Sequence, residues 1–343
     1  MAPGKITILD VAKQAGVVPS TVSRVLNGYP DVSEQTRARV IEAVETLDYK
    51  PNRAARAFRT GRTQTVSVLL PMIGTDFYTR LINSIDGELA EHDYDAALFP
   101  LFSQRRLERY RDPDSLPYHA DGLLIGSLSP ANLFPKGVIP ADLPAVLIDI
   151  HDPNHDTVTV DNVKGGYLAG RHLAERPAET FAVMIEEYFD TPFASGVFRD
   201  RCHGFKRALH EAGQVAADEN VLIVEFNWEG GRVAAREIMK RCQGPVNIFA
   251  GCDLLAQWVM DEFSHSRLTI GQEIRLIGFD DQPWTEKYGL STIKQPIEAM
   301  GAFAVNLLLE RIRDRTREPI HHVFAPSLVV RRSSGGVTNR RDE

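Results

Sequence analysis

Cysteine is scarce in this chain. Cys202, Cys242 and Cys252 are the three in 343 residues, and their spacing matches neither a disulfide framework nor a structural zinc site. No apolar run is long enough to cross a bilayer. No secretory hydrophobic segment opens the chain, so the expected location is the cytoplasm, with no membrane partner. Signatures of catalysis are missing too: there is no nucleophile elbow, no P-loop and no strict dinucleotide fingerprint, and VKGGYLAG satisfies none of them. The stretch HDPNHD holds His151, Asp152, His155 and Asp156, but a Pro-Asn turn interrupts it and it lacks the helical spacing of a metal site. These absences argue against an enzyme, a bound metal and a cofactor.

Basic residues are unevenly distributed. Residues 1–62 hold ten Lys/Arg against six Asp/Glu, whereas the remainder holds twenty-nine against forty. A basic module on an acidic body suits a nucleic-acid contact confined to one end. The rest of the composition, 43% hydrophobic and 25% charged, is that of an ordinary globular protein, and the length predicts two or three domains.

The basic end has a legible local grammar. In TILDVAKQAGVVPSTVSRVLN, Thr7 can cap a helix whose Ile8, Val11, Ala12 and Ala15 recur at helical spacing. Gly16 ends it where a left-handed residue is cheap, and Pro19 suits the first turn of the next helix. Val22, Val25 and Leu26 form the second buried face, leaving Ser20, Thr21, Ser23 and Arg24 outward. A third helix begins at Ser33, with Val40, Ala43, Val44 and Leu47 inward. The first pair has the form of a helix-turn-helix able to enter a major groove.

DVAKQAGV, TVSRVLNG, VSEQTRARV and YKPNRAAR, in that order and spacing, closely resemble the lactose-repressor/purine-repressor family (LacI/GalR) of bacterial transcriptional regulators. The resemblance implies an all-α helix-turn-helix headpiece at residues 1–50, a hinge helix and linker at 51–62, and an α/β periplasmic-binding-protein-like domain of two parallel-sheet lobes at 63–343. Base reading would fall on Pro19, Ser20 and Arg24, the last a donor fork suited to guanine. Thr7, Thr21, Ser23, Asn27, Ser33 and Thr36 would join the DNA contacts, chiefly at backbone phosphates. In the hinge, which the family folds in the minor groove, Asn52, Arg53, Ala55, Arg56 and Phe58 would join the DNA contacts. Ala55 would allow close approach, Arg53 or Arg56 would meet phosphate, and Phe58 would be a wedge where the family carries leucine. Val18 departs from the family's usual serine after the turn valine.

From Thr65 onward, short apolar runs alternate with helical segments. Strands are expected at Val66–Pro71, Asp95–Phe99, Gly122–Ile125, Ala145–Asp149, Phe181–Ile185, Val221–Phe226, Asn247–Ala250 and Arg275–Phe279. Helices are expected, for example, at Tyr78–His92, Gly165–Ala174 and Arg201–Ala212. This alternation predicts parallel sheets covered by helices. By the resemblance, lobe one takes about 63–160 and 292–325, lobe two about 161–291 and 326–343, with chain crossings near Asp161, Thr292 and Pro326. The matching cleft residues are Phe77, Tyr78, Asp149, Arg201, Trp228, Asp253 and Asp280. Carboxylates accepting from hydroxyls, an arginine fork and a flat aromatic face suit a sugar or sugar derivative. A purine or nucleoside stacked between Tyr78 and Trp228 is the other reading, and a phosphoprotein partner is a third. Cys252, Trp258 and the prolines Pro113 and Pro117 within Arg105–His119 depart from the family pattern.

The implied protein is a repressor, a homodimer on a pseudo-palindromic double-stranded operator, with operator affinity set by a small-molecule effector. Arg331–Glu343 has no heptad repeat, which argues against a coiled-coil tetramer. A transport receptor of the same fold would need an export signal and would lack the basic headpiece.

Overall fold

The computed structural model describes residues 6–26, 28–49, 61–101, 103–112, 114–134, 138–140, 142–187, 195–214, 217–242 and 244–335. The chain divides into two compact units, Met1–Thr63 and Gln64–Glu343.

The first unit contains helices α1 (Ile8–Ala15), α2 (Pro19–Leu26) and α3 (Glu34–Thr46). The Thr7 amide and hydroxyl both donate to the Asp10 carboxylate, at 2.8 and 2.7 Å, closing the start of α1. These bonds hold the Asp10 carboxyl below the usual carboxylate range. Gly16 ends α1 at φ 64°, where a side chain would be strained. Val11, Val22 and Val40, one from each helix, are fully buried, each contributing about 1.5–3 kcal/mol. Leu26, expected inward, is instead 37% exposed at the last position of α2.

The second unit alternates strands and helices. Its first lobe begins with β1 (Thr65–Leu70), α4 (Asp76–Ala90), β2 (Asp95–Pro100), α5 (Gln104–Tyr110), β3 (Gly122–Gly126), α6 (Pro130–Leu133), β4 (Ala145–Ile148) and β5 (Asp156–Val160). The chain then builds α7 (Asn162–Ala174), β6 (Glu179–Ile185), α8 (Val197–Glu211), β7 (Val221–Val224), α9 (Trp228–Arg241), β8 (Val246–Ala250), α10 (Asp253–Phe263), β9 (Ile274–Asp280), α11 (Thr285–Tyr288) and β10 (Ser291–Lys294). It returns through α12 (Ile297–Arg313) and β11 (His321–Phe324), and ends with β12 (Ser327–Val329).

Two six-stranded sheets result, ordered β11-β5-β4-β3-β1-β2 and β12-β10-β9-β8-β6-β7. Every pairing is parallel except β10 with β12. Thr292 belongs to β10 and pairs within the second sheet, so the second crossing follows Lys294. Strand order reverses at β1/β3 and at β6/β8, and such switch points open a crevice at the carboxyl ends of the strands.

Glycines in VKGGYLAG are used for packing. A Cβ on Gly166 would lie 1.8 Å from the Arg201 carbonyl oxygen, and one on Gly204 would lie 1.8 Å from that of Val163. The backbones of α7 and α8 therefore touch, which fixes where α8 delivers the Arg201 side chain.

Gly204→Ala should destabilise the second unit by about 3 kcal/mol, since backbone must move to admit the methyl. Gly87→Ala, on α4 with open space around it, should stabilise by roughly 0.5–1 kcal/mol. Urea unfolding of both variants checks this pair; equal effects would mean that the α7–α8 contact yields easily.

Candidate functional site

In the first unit, Ser20 and Arg24 are exposed and four residues apart on α2, with Pro19, Thr21 and Ser23 half-buried beside them. Ser33 caps α3, its hydroxyl accepting from the Thr36 amide at 3.3 Å and donating to the Thr36 hydroxyl at 2.9 Å. Val18, 59% exposed, occupies the position before Pro19; its carbonyl accepts from the Thr21 amide at 2.9 Å, so the turn is held without a side-chain cap. The Arg24 guanidinium pairs with Asp31 and lies 5.3 Å from the Tyr29 ring centroid. Asn27, Asn52, Arg53, Ala55, Arg56 and Phe58 lie outside the described residues.

In the second unit a cavity of about 710 Å³ opens at the carboxyl ends of the strands of both lobes. Lobe one supplies the start of α4 and the residues after β3 and β4; lobe two supplies those after β6, β7, β8 and β9, with Val197, Phe198 and Arg201 of α8. Phe77, Tyr78, Asp149, Arg201 and Asp280 all line it, as the sequence reading expected of each.

Arg201 organises the floor. It is 3% exposed. Its Nε donates to Asn162 Oδ1 at 2.8 Å and its Nη1 to the Gly251 carbonyl at 2.6 Å. The Phe279 ring lies 3.7 Å from its Cζ, and Asp280 Oδ1 lies 3.8 Å from Nη1. Asp280 also accepts from Gln295 Nε2 at 2.6 Å. Asp149 Oδ2 accepts from the Ser127 hydroxyl at 3.3 Å, while Asp149 Oδ1 is buried without a protein partner. An unpaired buried carboxylate oxygen is costly, and a ligand hydroxyl would satisfy it.

The backbone here is strained. Ser127, Asp149, Asp280 and Asp281 have φ of 51°, 61°, 121° and 55°. All four follow or end strands at the cavity, where strain retained by a fold commonly marks function.

Burial raises the pKa of the cleft acids. Asp149 is pushed up to about 6, and Asp280 likewise to about 6, in both cases despite the opposing charge of Arg201. Burial also raises the Tyr78 phenol and the Cys252 thiol, so Cys252 is a weak nucleophile at neutral pH.

Two expected residues are not brought to the cavity. Trp228 is 53% exposed, with Arg232 over its ring at 4.2 Å. The reason is local: Asn227 caps α9 by accepting from the Gly230 amide at 2.8 Å, and that turn carries Trp228 outward while Phe226 lines the wall. Asp253 is fully buried and structural, accepting from the Gln282 amide at 2.9 Å and the Thr292 hydroxyl at 2.6 Å. Burial and the neighbouring Asp280 push its pKa well above the usual carboxylate range.

The sequence reading missed Phe198, Phe226, Gln282 and Trp284, all on the cavity wall. Trp284 Nε1 donates to Asp76 Oδ2 at 2.6 Å, joining the lobes at the rim. Arg80 joins them again: held within its own lobe by Glu298 through Nε and Nη2, at 2.6 and 2.9 Å, it donates across to the Asp281 carbonyl at 3.0 Å. Trp258 packs against Gly231 and lies 5.4 Å from the Phe226 ring, so this departure from the family pattern backs the cavity wall. In HDPNHD, His155 pairs with Asp152 at 2.9 Å and Asp156 with Arg311 and Arg317, both at 2.8 Å.

Asp149 has a raised folded pKa, so it adds stability below about pH 4, and this is lost as pH climbs through about 6. Asp149→Asn removes that loss. Relative to wild type, the variant should gain on the order of 1–3 kcal/mol of unfolding free energy between pH 4 and 7. Chemical denaturation across this range measures it; a difference independent of pH would mean that Asp149 titrates normally.

Comparison with known proteins supplies the family. Residues 7–52 match the model of bacterial regulatory proteins of the lacI family, and residues 170–334 that of a periplasmic binding protein-like domain. The HTH-type transcriptional repressor PurR of Edwardsiella ictaluri (strain 93-146) is 31% identical over 335 residues, covering 95% of this chain and 96% of that protein. A probable transcription regulator from Thermus thermophilus is 42% identical with TM-score 0.68, covering 79% of this chain and 98% of that one. The complex of the transcriptional regulator CelR with cellobiose is 28% identical with TM-score 0.70, covering 96% and 99%. The Lac repressor dimer bound to operator shares the fold, at TM-score 0.80 and 21% identity over 96% of this chain and 99% of that one. No described helix is long and apolar enough to cross a membrane. With a helix-turn-helix unit, a two-lobed α/β unit and a repressor relative matched nearly end to end, this chain belongs to the lacI family of bacterial regulatory proteins and is a DNA-binding transcriptional repressor.

Proposed function

We propose that the repressor senses a neutral, polyhydroxylated glycoside larger than a single hexose, bound in the cleft between its lobes. The observation that carries this reading is the buried, unpartnered Asp149 Oδ1 beside Arg201 and Asp280. These groups accept from hydroxyls and donate through one guanidinium, under walls of Phe77, Phe198, Phe226 and Trp284 that suit the apolar face of a sugar ring. The volume lies in the upper part of the roughly 300–1,000 Å³ range of small-molecule sites. Among the described residues, six carboxylates line the cavity, Asp76, Asp149, Glu186, Glu187, Glu225 and Asp280, against the single cation Arg201. That balance repels phosphate and so favours an unphosphorylated ligand. CelR, with its bound cellobiose, offers a relative of matching ligand chemistry. A nucleobase between Tyr78 and Trp228 would lack one face, since Trp228 lies outside the cavity.

In this reading the protein works in the cytoplasm as a homodimer, two headpieces reading the halves of a pseudo-palindromic operator. Exposed Leu98 on β2 and Ile223 on β7, the end strands of the two sheets, supply apolar surface for the second copy. Pro19, Ser20 and Arg24 read bases; Thr7, Thr21, Ser23, Asn27, Ser33 and Thr36 position the phosphate backbone. Residues 51–62 form the hinge, with Asn52, Arg53, Ala55, Arg56 and Phe58 at the minor groove. Effector shifts the lobe arrangement, and operator and effector affinities are reciprocally linked.

A thermal-shift screen of neutral disaccharides, their phosphates and purines tests the ligand class. Neutral disaccharides should raise the melting temperature and change operator affinity, with Asp149→Ala weakening the ligand at least tenfold, about 1.4 kcal/mol, and leaving DNA affinity intact. Stabilisation by a purine or a sugar phosphate alone would overturn the reading.

A further inference from the structure

We propose that Asp31 is a specificity-determining residue, which presents Arg24 to the base edges and withholds it from phosphates. The inference rests on the reading of Arg24 as the base-contacting residue.

The geometry is that of a buttress. Arg24 donates to Asp31 through both Nε, at 3.3 Å to Oδ1, and Nη2, to Oδ2. A guanidinium has five N–H donors in a planar fork. Using the Nε/Nη2 edge on a carboxylate leaves the Nη1/Nη2 edge, whose two N–H groups are the pair that guanine O6 and N7 accept from. Tyr29 covers a ring-facing side of the same guanidinium at 5.3 Å.

The segment that carries Asp31 is itself held. The Tyr29 amide donates to the Arg24 carbonyl at 3.0 Å, and Arg37 Nη2 donates to the Tyr29 carbonyl at 2.7 Å. Pro30 restricts the backbone between Tyr29 and Asp31. The backbone beside Asp31 is therefore tied to α2 and α3, and the pairing with Asp31 narrows the directions the arginine side chain takes.

Stability does not explain the pair. Arg24 and Asp31 side chains are 51% and 52% exposed, and ion pairs of that exposure add little to folding. Its electrostatic effect on DNA is of opposite sign for the two kinds of binding. The carboxylate offsets the arginine charge, which lowers sequence-independent attraction to phosphate, while the orientation it imposes favours the base contact.

The test is sequence selection from randomised duplex DNA by the full-length protein, for wild type, Arg24→Ala, Asp31→Ala and Asp31→Asn, each also titrated with an unrelated duplex. Arg24→Ala and Asp31→Ala should lose preference at the same base pair, by about fivefold or more. Binding to the unrelated duplex should strengthen in both Asp31 variants and weaken in Arg24→Ala. Melting temperatures of the Asp31 variants should stay at the wild-type value. Loss of preference in Arg24→Ala alone would overturn the role of Asp31 and leave Arg24 as the reader. No change of preference in Arg24→Ala would overturn the reading of Arg24 and the buttress with it. Uniform weakening across all sequences in the Asp31 variants would make Asp31 a structural residue only and overturn the proposal.

Discussion

One guanidinium opposes the buried negative charge of the interlobe cleft. Asp149 and Asp280 are withdrawn from water, at 5% and 7% exposure, and Arg201 is the cation among the described residues lining the cavity. Burying a carboxylate without a partner is expensive, and a buried pair survives only with further hydrogen bonds to satisfy both ions. Arg201 is accordingly tied to Asn162 and Gly251, Asp280 to Gln295, and Asp253 to Thr292 and the Gln282 amide. Two oxygens of this network, Asp149 Oδ1 and Gln295 Oε1, are buried without a protein partner, and Asp149 is the one of the two residues that lines the cavity.

That arrangement depends on backbone contacts far from any charge. Arg201 reaches its partners because α8 lies directly on α7, through Gly166 and Gly204. Left-handed backbone at Ser127, Asp149, Asp280 and Asp281 turns polar groups toward the cavity at a cost the surrounding sheets absorb. The lobes meet at the rim through Trp284 with Asp76 and through Arg80 with the Asp281 carbonyl. A ligand that engages both Asp149 of lobe one and Arg201 of lobe two therefore bears on the same boundary that these contacts bridge.

The headpiece follows a different economy. Its core is small, seven Val and Ala side chains from three helices, so the outer face is free to carry serine, threonine and arginine. Local signals made it legible: a capping pair at Thr7 and Asp10, Gly16 at positive φ, Pro19 opening α2 and Ser33 capping α3. Each is an interaction within a few residues, which is why order and spacing alone revealed it. The pairing of Arg24 with Asp31, seven residues apart across a turn, was not visible in the same way.

In the larger unit, the alternation of apolar runs and helices sufficed for the parallel architecture, because strand and helix periodicities are properties of short segments. The family resemblance, not the alternation, pointed to the cleft residues, and five of those seven line the cavity. It could not place Trp228, since a cap at Asn227 decides which of two neighbouring aromatics faces inward, nor show that Asp253 spends its carboxylate on Gln282 and Thr292. Phe198, Gln282 and Trp284 became visible only when strands distant in sequence were laid side by side. Sequence by itself determined the elements, their order and the family, because those rest on local periodicity and motif spacing. Tertiary structure alone decided which buried acids share Arg201 and which remains unsatisfied, because desolvation and charge pairing are set by neighbours that the chain brings together from far apart.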